Sequence, residues 1–81
     1  MAPNIQTPIA TRYHLARLLL AIHPTEALAI SETALAAHDK RLGRDNTRTK
    51  DSARVTADAL HALGRTDEAK ALRERYELTP P

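Results

Sequence analysis

Leu60-His61-Ala62-Leu63-Gly64-Arg65-Thr66-Asp67-Glu68-Ala69 is the stretch that decides the fold. It reads as the end of one helix, a tight turn and the start of another. Leu60 and Leu63, three apart, close an apolar face, and Gly64 supplies the left-handed residue on which helices commonly terminate. Thr66 is placed to accept from the free amides of the next helix, and Asp67 and Glu68 meet the positive end of its dipole. The unit is a helical hairpin. Glu26-Ala27 leads an earlier helix as Glu68-Ala69 leads this one, 42 residues before it. Recurrence at such a period predicts stacked helix pairs.

The rest of the chain fits around that hairpin. Residues 1–8 form a lead-in, with Thr7 as N-cap and Pro8 at the first helical position. The first helix is predicted to run to about Ile22. Leu15, Leu18, Leu19 and Ile22 form one face and Tyr13, Ala16 and Leu20 widen it, which is more than a helix packed on one side needs. Pro24 opens the second helix, whose apolar positions are Ala27, Ile30, Ala34, Leu35 and Leu42. Lys40 and Arg41 sit in its last turn and Gly43 ends it. Asn46 caps a third helix that presents Ala53, Thr56, Ala57, Leu60 and Leu63. A fourth, from about Asp67 to Leu78, is mostly charged, has only Ala69, Leu72 and Tyr76 as its apolar line, and is stopped by Pro80-Pro81.

Composition bounds the answer. Eighty-one residues make one small domain near the size at which a single core is marginal. Ala and Leu dominate the apolar content, Phe and Trp are absent, and Tyr13 and Tyr76 are the aromatics. A net charge of +2 is too mild to imply a nucleic-acid partner. Without cysteine there are no disulfides and no thiolate metal sites. No run of about 18 apolar residues exists and the polar start does not resemble a signal peptide, so a soluble cytoplasmic protein is expected. Nine Arg to three Lys, with frequent Ala, would suit a GC-rich bacterial genome.

At the level of motifs the chain resembles tetratricopeptide-repeat (TPR) proteins, in the longer kinesin-light-chain-like variety common in bacteria. The opening of that family's first helix, L-A-T-R-N-N-L-A-x-x-L, is matched by Ile9-Ala10-Thr11-Arg12-Tyr13-His14-Leu15-Ala16-Arg17-Leu18-Leu19. Its L-G-R-Y-x-E-A is matched by Leu63-Gly64-Arg65-Thr66-Asp67-Glu68-Ala69, and its linker L-G-x-D-H-P-x-T by Leu42-Gly43-Arg44-Asp45-Asn46-Thr47-Arg48-Thr49. The resemblance covers residues 9–43 and 46–78 as two repeats. It implies an all-α fold of two antiparallel helical hairpins, four helices in all, stacked as a short α-solenoid. The chain departs from the pattern at the Asn before Leu-Ala, which is His14 in one copy and Val55 in the other, so a peptide contact made by that Asn does not carry over. Thr56 stands for the following Leu, which makes the second repeat degenerate.

The same resemblance assigns the first helix of each pair to a concave groove, which places Tyr13, His14, Arg17 and Leu20 there together with Arg54, Asp58 and His61. The implied function is a non-enzymatic module that binds a protein or an acidic peptide through these arginines. A structural, self-assembling subunit and a small nucleic-acid-binding regulator are the alternatives. The basic stretch Lys40, Arg41, Arg44, Arg48, Lys50 and Arg54 favours the latter, but it lacks aromatics for stacking. His14, His23, His38 and His61 show no H-x-x-x-H spacing, so no metal or other cofactor is expected, and Asp58 with His61 lacks a nucleophile for catalysis. Two repeats are fewer than the three that stacking usually requires, which predicts a homodimer. Its expected contacts are Leu15, Leu18, Leu19 and Ile22 from the first helix and Leu28 and Leu35, seven apart, from the second.

Overall fold

Among the described residues main-chain hydrogen bonding forms four helices, α1 (Ile9–Leu19), α2 (Pro24–Leu42), α3 (Thr47–Ala62) and α4 (Thr66–Arg75). The computed structural model describes residues 9–78, with side chains from Thr11 onward. The expected cap at Thr7, the start at Pro8 and the stop at Pro80-Pro81 lie outside these residues. Packing is consecutive: α1 lies on α2, α2 on α3 and α3 on α4, and α1 also touches α3. The architecture is all-α, two antiparallel helical hairpins stacked on one another.

Local chemistry sets the turns. Asn46 caps α3, its side-chain oxygen accepting from the Arg48 amide at 2.9 Å. Gly64, at φ 81°, is the left-handed residue after α3. The Arg65 amide donates to the Leu60 carbonyl at 2.8 Å and the Gly64 amide to that of His61 at 3.0 Å, the paired bonds of a Schellman cap. Thr66 is not the cap of α4 but its first residue. Arg65 stands at the cap position without a side-chain cap bond and instead donates to Glu68 at 2.6 and 2.8 Å. Closing the Schellman turn uses the Arg65 amide, so the chain enters α4 one residue earlier than a threonine cap would allow.

Two helices are shorter than the periodicity implies. α1 ends at Leu19, not Ile22, because residues before a proline avoid helical backbone and His23 precedes Pro24. The His23 amide folds back onto the Leu19 carbonyl at 2.7 Å. α4 ends at Arg75, not Leu78, in a second Schellman cap, with the Leu78 amide on the Arg73 carbonyl at 2.9 Å and the Glu77 amide on that of Glu74 at 3.2 Å. Here the left-handed position is held by Glu77, at φ 54°. A residue with a Cβ is strained there by about 1–2 kcal/mol, whereas glycine loses about 0.4–1 kcal/mol through the unfolded chain. Glu77→Gly is therefore expected to raise the unfolding free energy by about 0.5–1 kcal/mol, read as a higher urea midpoint. A lowered midpoint would mean that the Glu77 side chain itself stabilises the turn.

The interior is thin. Ala16, Ala27, Ala34, Ala53, Ala57, Ala59 and Ala69 are fully buried, and the bulkiest side chains with essentially no exposure are Thr49, Ser31 and Ser52. Small residues let the helices approach closely, and two apolar clusters add bulk around that seam. One joins Leu28 and Leu60 to the buried alanines, and the other joins Leu35, Tyr76 and Leu78 to Ala53, with Leu72 against both. This corrects the expectation for Leu28 and Leu35. Both are buried inside the chain, facing α3 and α4, and neither is a free contact for another copy. Leu42, placed on the apolar stripe of α2, is instead well exposed, in the last turn of that helix.

Candidate functional site

After Gly64 the main chain of α4 packs on α3; none of its Cα atoms lies within 8 Å of one in α2, which it meets through side chains. The divergence of α2 and α4 opens a groove of about 690 Å³ above α3. Leu35, Thr56, Leu60, Leu72 and Tyr76 line its floor and Ala36 and Ala71 its walls. Glu32, Asp39 and Lys40 line it from α2, Glu68 and Arg75 from α4. One end is bridged by Tyr76, whose hydroxyl donates to Asp39 Oδ2 at 2.5 Å. Burial, and then that bond to Asp39, push the Tyr76 phenol above its ordinary range. The Glu68 carboxyl is held below its ordinary range by its hydrogen bonds from Arg65, so it is anionic at neutral pH. A peptide lying there would meet an apolar floor between charged edges.

The residues assigned to a concave groove from the sequence are distributed differently. Tyr13 and His14 open onto a smaller cleft of about 240 Å³, shared with His38 of α2 and Arg48 and Asp51 of α3. Their rings meet edge-on with centroids 5.2 Å apart, and the Arg17 guanidinium lies 5.9 Å from the Tyr13 ring. Arg54 donates to Asp51 at 2.8 Å, and Asp58 accepts from Arg73 of α4 at 2.9 Å. Leu20 packs against the interior, and His61 is exposed at the far end of α3. The structure thus brings Tyr13 and His14 to the first half of α3, engages Arg54 and Asp58 in pairs within the chain, and leaves His61 apart. Of the expected self-association residues, Leu15, Leu18 and Ile22 are exposed and Leu19 is half-buried.

His38 was grouped in the sequence with the scattered histidines, yet it is buried, with Nδ1 2.7 Å from the Ser52 hydroxyl. Its place could be read from spacing, since Ala27, Ser31, Ala34, Leu35 and His38 share one helical face. Burial, and then the Arg48 charge, hold the imidazole below its ordinary value of 6.5, against weaker opposing contributions from the Arg48 backbone and Asp51. The unfolded chain therefore takes up a proton on this group at a pH where the folded chain does not. Stability is full above pH 6.5 and declines as pH falls below it towards the depressed folded value. The decline is at most about 1.4 kcal/mol per pH unit. Urea unfolding at pH 7.5 and 5.0 checks this, and His38→Asn should remove most of the slope. Equal stability of the native chain at both pH values would refute a neutral, buried His38.

Among the described residues no cluster of His, Asp and Glu is arranged to hold a metal ion. No described helix is long and apolar enough to cross a membrane. The α2–α4 groove escaped sequence reasoning because Glu32, Ala36, Asp39, Ala71 and Arg75 read as ordinary helix surface. The available signal was the pair of small residues, Ala36 and Ala71, beside Leu35 and Leu72. Comparison with protein-family models, with curated proteins and with solved structures returns no match.

Proposed function

We propose that the chain is a non-enzymatic protein-interaction module, a two-repeat scaffold of the TPR type, that docks a peptide segment with apolar anchors in the groove between α2 and α4. The groove itself carries the reading. It offers an open apolar floor, and its edges hold charges of both signs to fix register. The α1–α3 face supports an acidic peptide less well, because Asp51 and Asp58 already engage Arg54 and Arg73.

Ala36 and Ala71 are exposed, so Ala36→Arg with Ala71→Arg obstructs the groove and leaves the interior intact. Peptides selected from a displayed random library against the native chain are expected to bind the double variant at least tenfold more weakly, with an unchanged melting temperature. Retained affinity there, together with loss in Arg17→Ala with Arg54→Ala, would move the docking surface to the α1–α3 face. Retained affinity in both variants would remove both surfaces.

A further inference from the structure

Apart from Tyr76, at the cap of α4, every residue lining the α2–α4 groove lies within a helix. Helical main chain pairs its own amides and carbonyls, so the walls offer an incoming segment no row of backbone partners. Thr56, the polar residue of the floor, already donates to the Ser52 carbonyl at 2.8 Å. An extended segment lying on Leu35, Leu60, Leu72 and Tyr76 would bury unpaired backbone groups, which is costly. A helix arrives with its backbone already paired. The groove selects a helix.

The two ends of the groove differ in charge. α2 and α4 both run antiparallel to α3 and therefore in the same direction. The Tyr76 hydroxyl reaches Asp39 Oδ2, which sets Lys40, beside Asp39, and Arg75, beside Tyr76, at one end. Glu32 of α2 and Glu68 of α4 stand seven or eight residues earlier, about 10–12 Å back along each helix. Glu32 is near enough for its charge to act on the Arg65 guanidinium, the partner of Glu68, so both carboxylates belong to the far end. Lys40 and Arg75 thus face Asp39 at the Tyr76 end, where cations are in excess, and Glu32 and Glu68 face Arg65 at the other, where carboxylates are.

A helix is most stable with carboxylates in its first turn and cations in its last. Laid so that each end meets the opposite charge, such a helix runs antiparallel to α2 and α4, and its dipole opposes theirs. A second copy of this chain does not supply it. α1, the helix with exposed leucines, has no carboxylate and would leave the cations of the Tyr76 end unanswered.

Resting on the reading of this groove as a docking site, we infer that its occupant is an amphipathic helix of a different protein, acidic in its first turn and basic in its last, seated antiparallel to α2 and α4. The floor supplies the buried contact, and the charged ends fix direction and register.

The probes are two capped synthetic peptides of about 15 residues with the same leucine stripe, one with Glu at its start and Lys at its end, the other reversed. Fluorescence anisotropy against the full chain should show the first binding about tenfold more tightly. The reversed peptide is also the poorer helix, so the deciding comparison is with a chain carrying Glu32→Lys, Lys40→Glu and Arg75→Glu, all at exposed positions, in which the preference should invert. A double-mutant cycle needs no charge reversal: Lys40→Gln should couple about threefold to replacement of the peptide's Glu by Gln, and not to replacement of its Lys. Binding that Ala36→Arg with Ala71→Arg abolishes, but with an unaltered preference in the reversed chain and no coupling in the cycle, overturns the inference and leaves the groove as the docking site. Failure of both peptides to bind, while library-selected peptides still need the groove, does the same. Binding that the two arginines do not disturb overturns the inference and the groove together. Sedimentation showing self-association that the same two arginines disperse overturns the inference as well, because a second copy then fills the groove.

Discussion

Tyr76→Ala is expected to destabilise the chain by about 3–5 kcal/mol, the usual cost of removing a buried aromatic ring. Tyr76 is the one aromatic among the buried residues and anchors the cluster formed with Leu35, Ala53 and Leu78. Its removal opens a void in an interior rich in alanine, where helices already in contact cannot close further. The hydroxyl bond to Asp39 is lost as well. A chain of this length has a stability of roughly 4–12 kcal/mol, so the variant should be largely unfolded or melt at least roughly 12 °C lower. Circular dichroism melting of Tyr76→Ala beside Tyr76→Phe checks this. The phenylalanine variant keeps the ring and should lose only about 1 kcal/mol. A loss below about 1 kcal/mol in the alanine variant would mean that α4 is held elsewhere.

Leu60→Ala should cost about 2–5 kcal/mol, the range for truncating a buried leucine. Leu60 joins α3 to Leu28 of α2 and to Ala69 of α4, so three helices lose contact at once. Its carbonyl still receives the Arg65 amide in the variant, so the turn survives and the loss belongs to packing. Urea unfolding followed by fluorescence of an appended dye or by circular dichroism gives the value. Combining Leu60→Ala with Tyr76→Ala should give no cooperative transition at 25 °C. A double variant that still unfolds cooperatively would place the main stabilising contacts in the α1–α2 pair.

Helix number, order and most boundaries were legible because each rests on short-range chemistry. Asn46, Gly64 and Pro24 act within a few residues of themselves, and their effects survive whatever packs nearby. The stripe of α3 was legible for the same reason. The burial of Leu28 was not, because α2 lies between α1 and α3 and buries more than one face. A single periodicity cannot assign two buried faces to different neighbours. The groove was hidden for a related reason. Its width depends on the angle at which α4 leaves Gly64, a tertiary quantity, while the alanines at its walls are equally at home on any helix surface. His38 shows the remaining limit: its spacing put it on the buried face, but its partner Ser52 lies on another helix and is named by packing alone.

The carbonyls at the end of α4 are held from a distance. Arg44, in the link between the hairpins, donates to the Arg75 carbonyl, and Lys50 donates to that of Tyr76 at 2.6 Å. The helices pack mainly on their neighbours in the chain, apart from the light touch of α1 on α3 and the side-chain contacts of Leu35 and Asp39 in α2 with Tyr76. Folding can therefore advance by successive local closures, with little loop entropy lost at each, which is the regime of fast search. The clasp on α4 joins residues 26 and 31 positions apart and forms only after α3 and α4 are both in place. It fastens the end of α4 to α3 and to the link before it, so escape of α4 must first break it. The clasp then governs how slowly the folded chain comes apart more than how quickly it assembles.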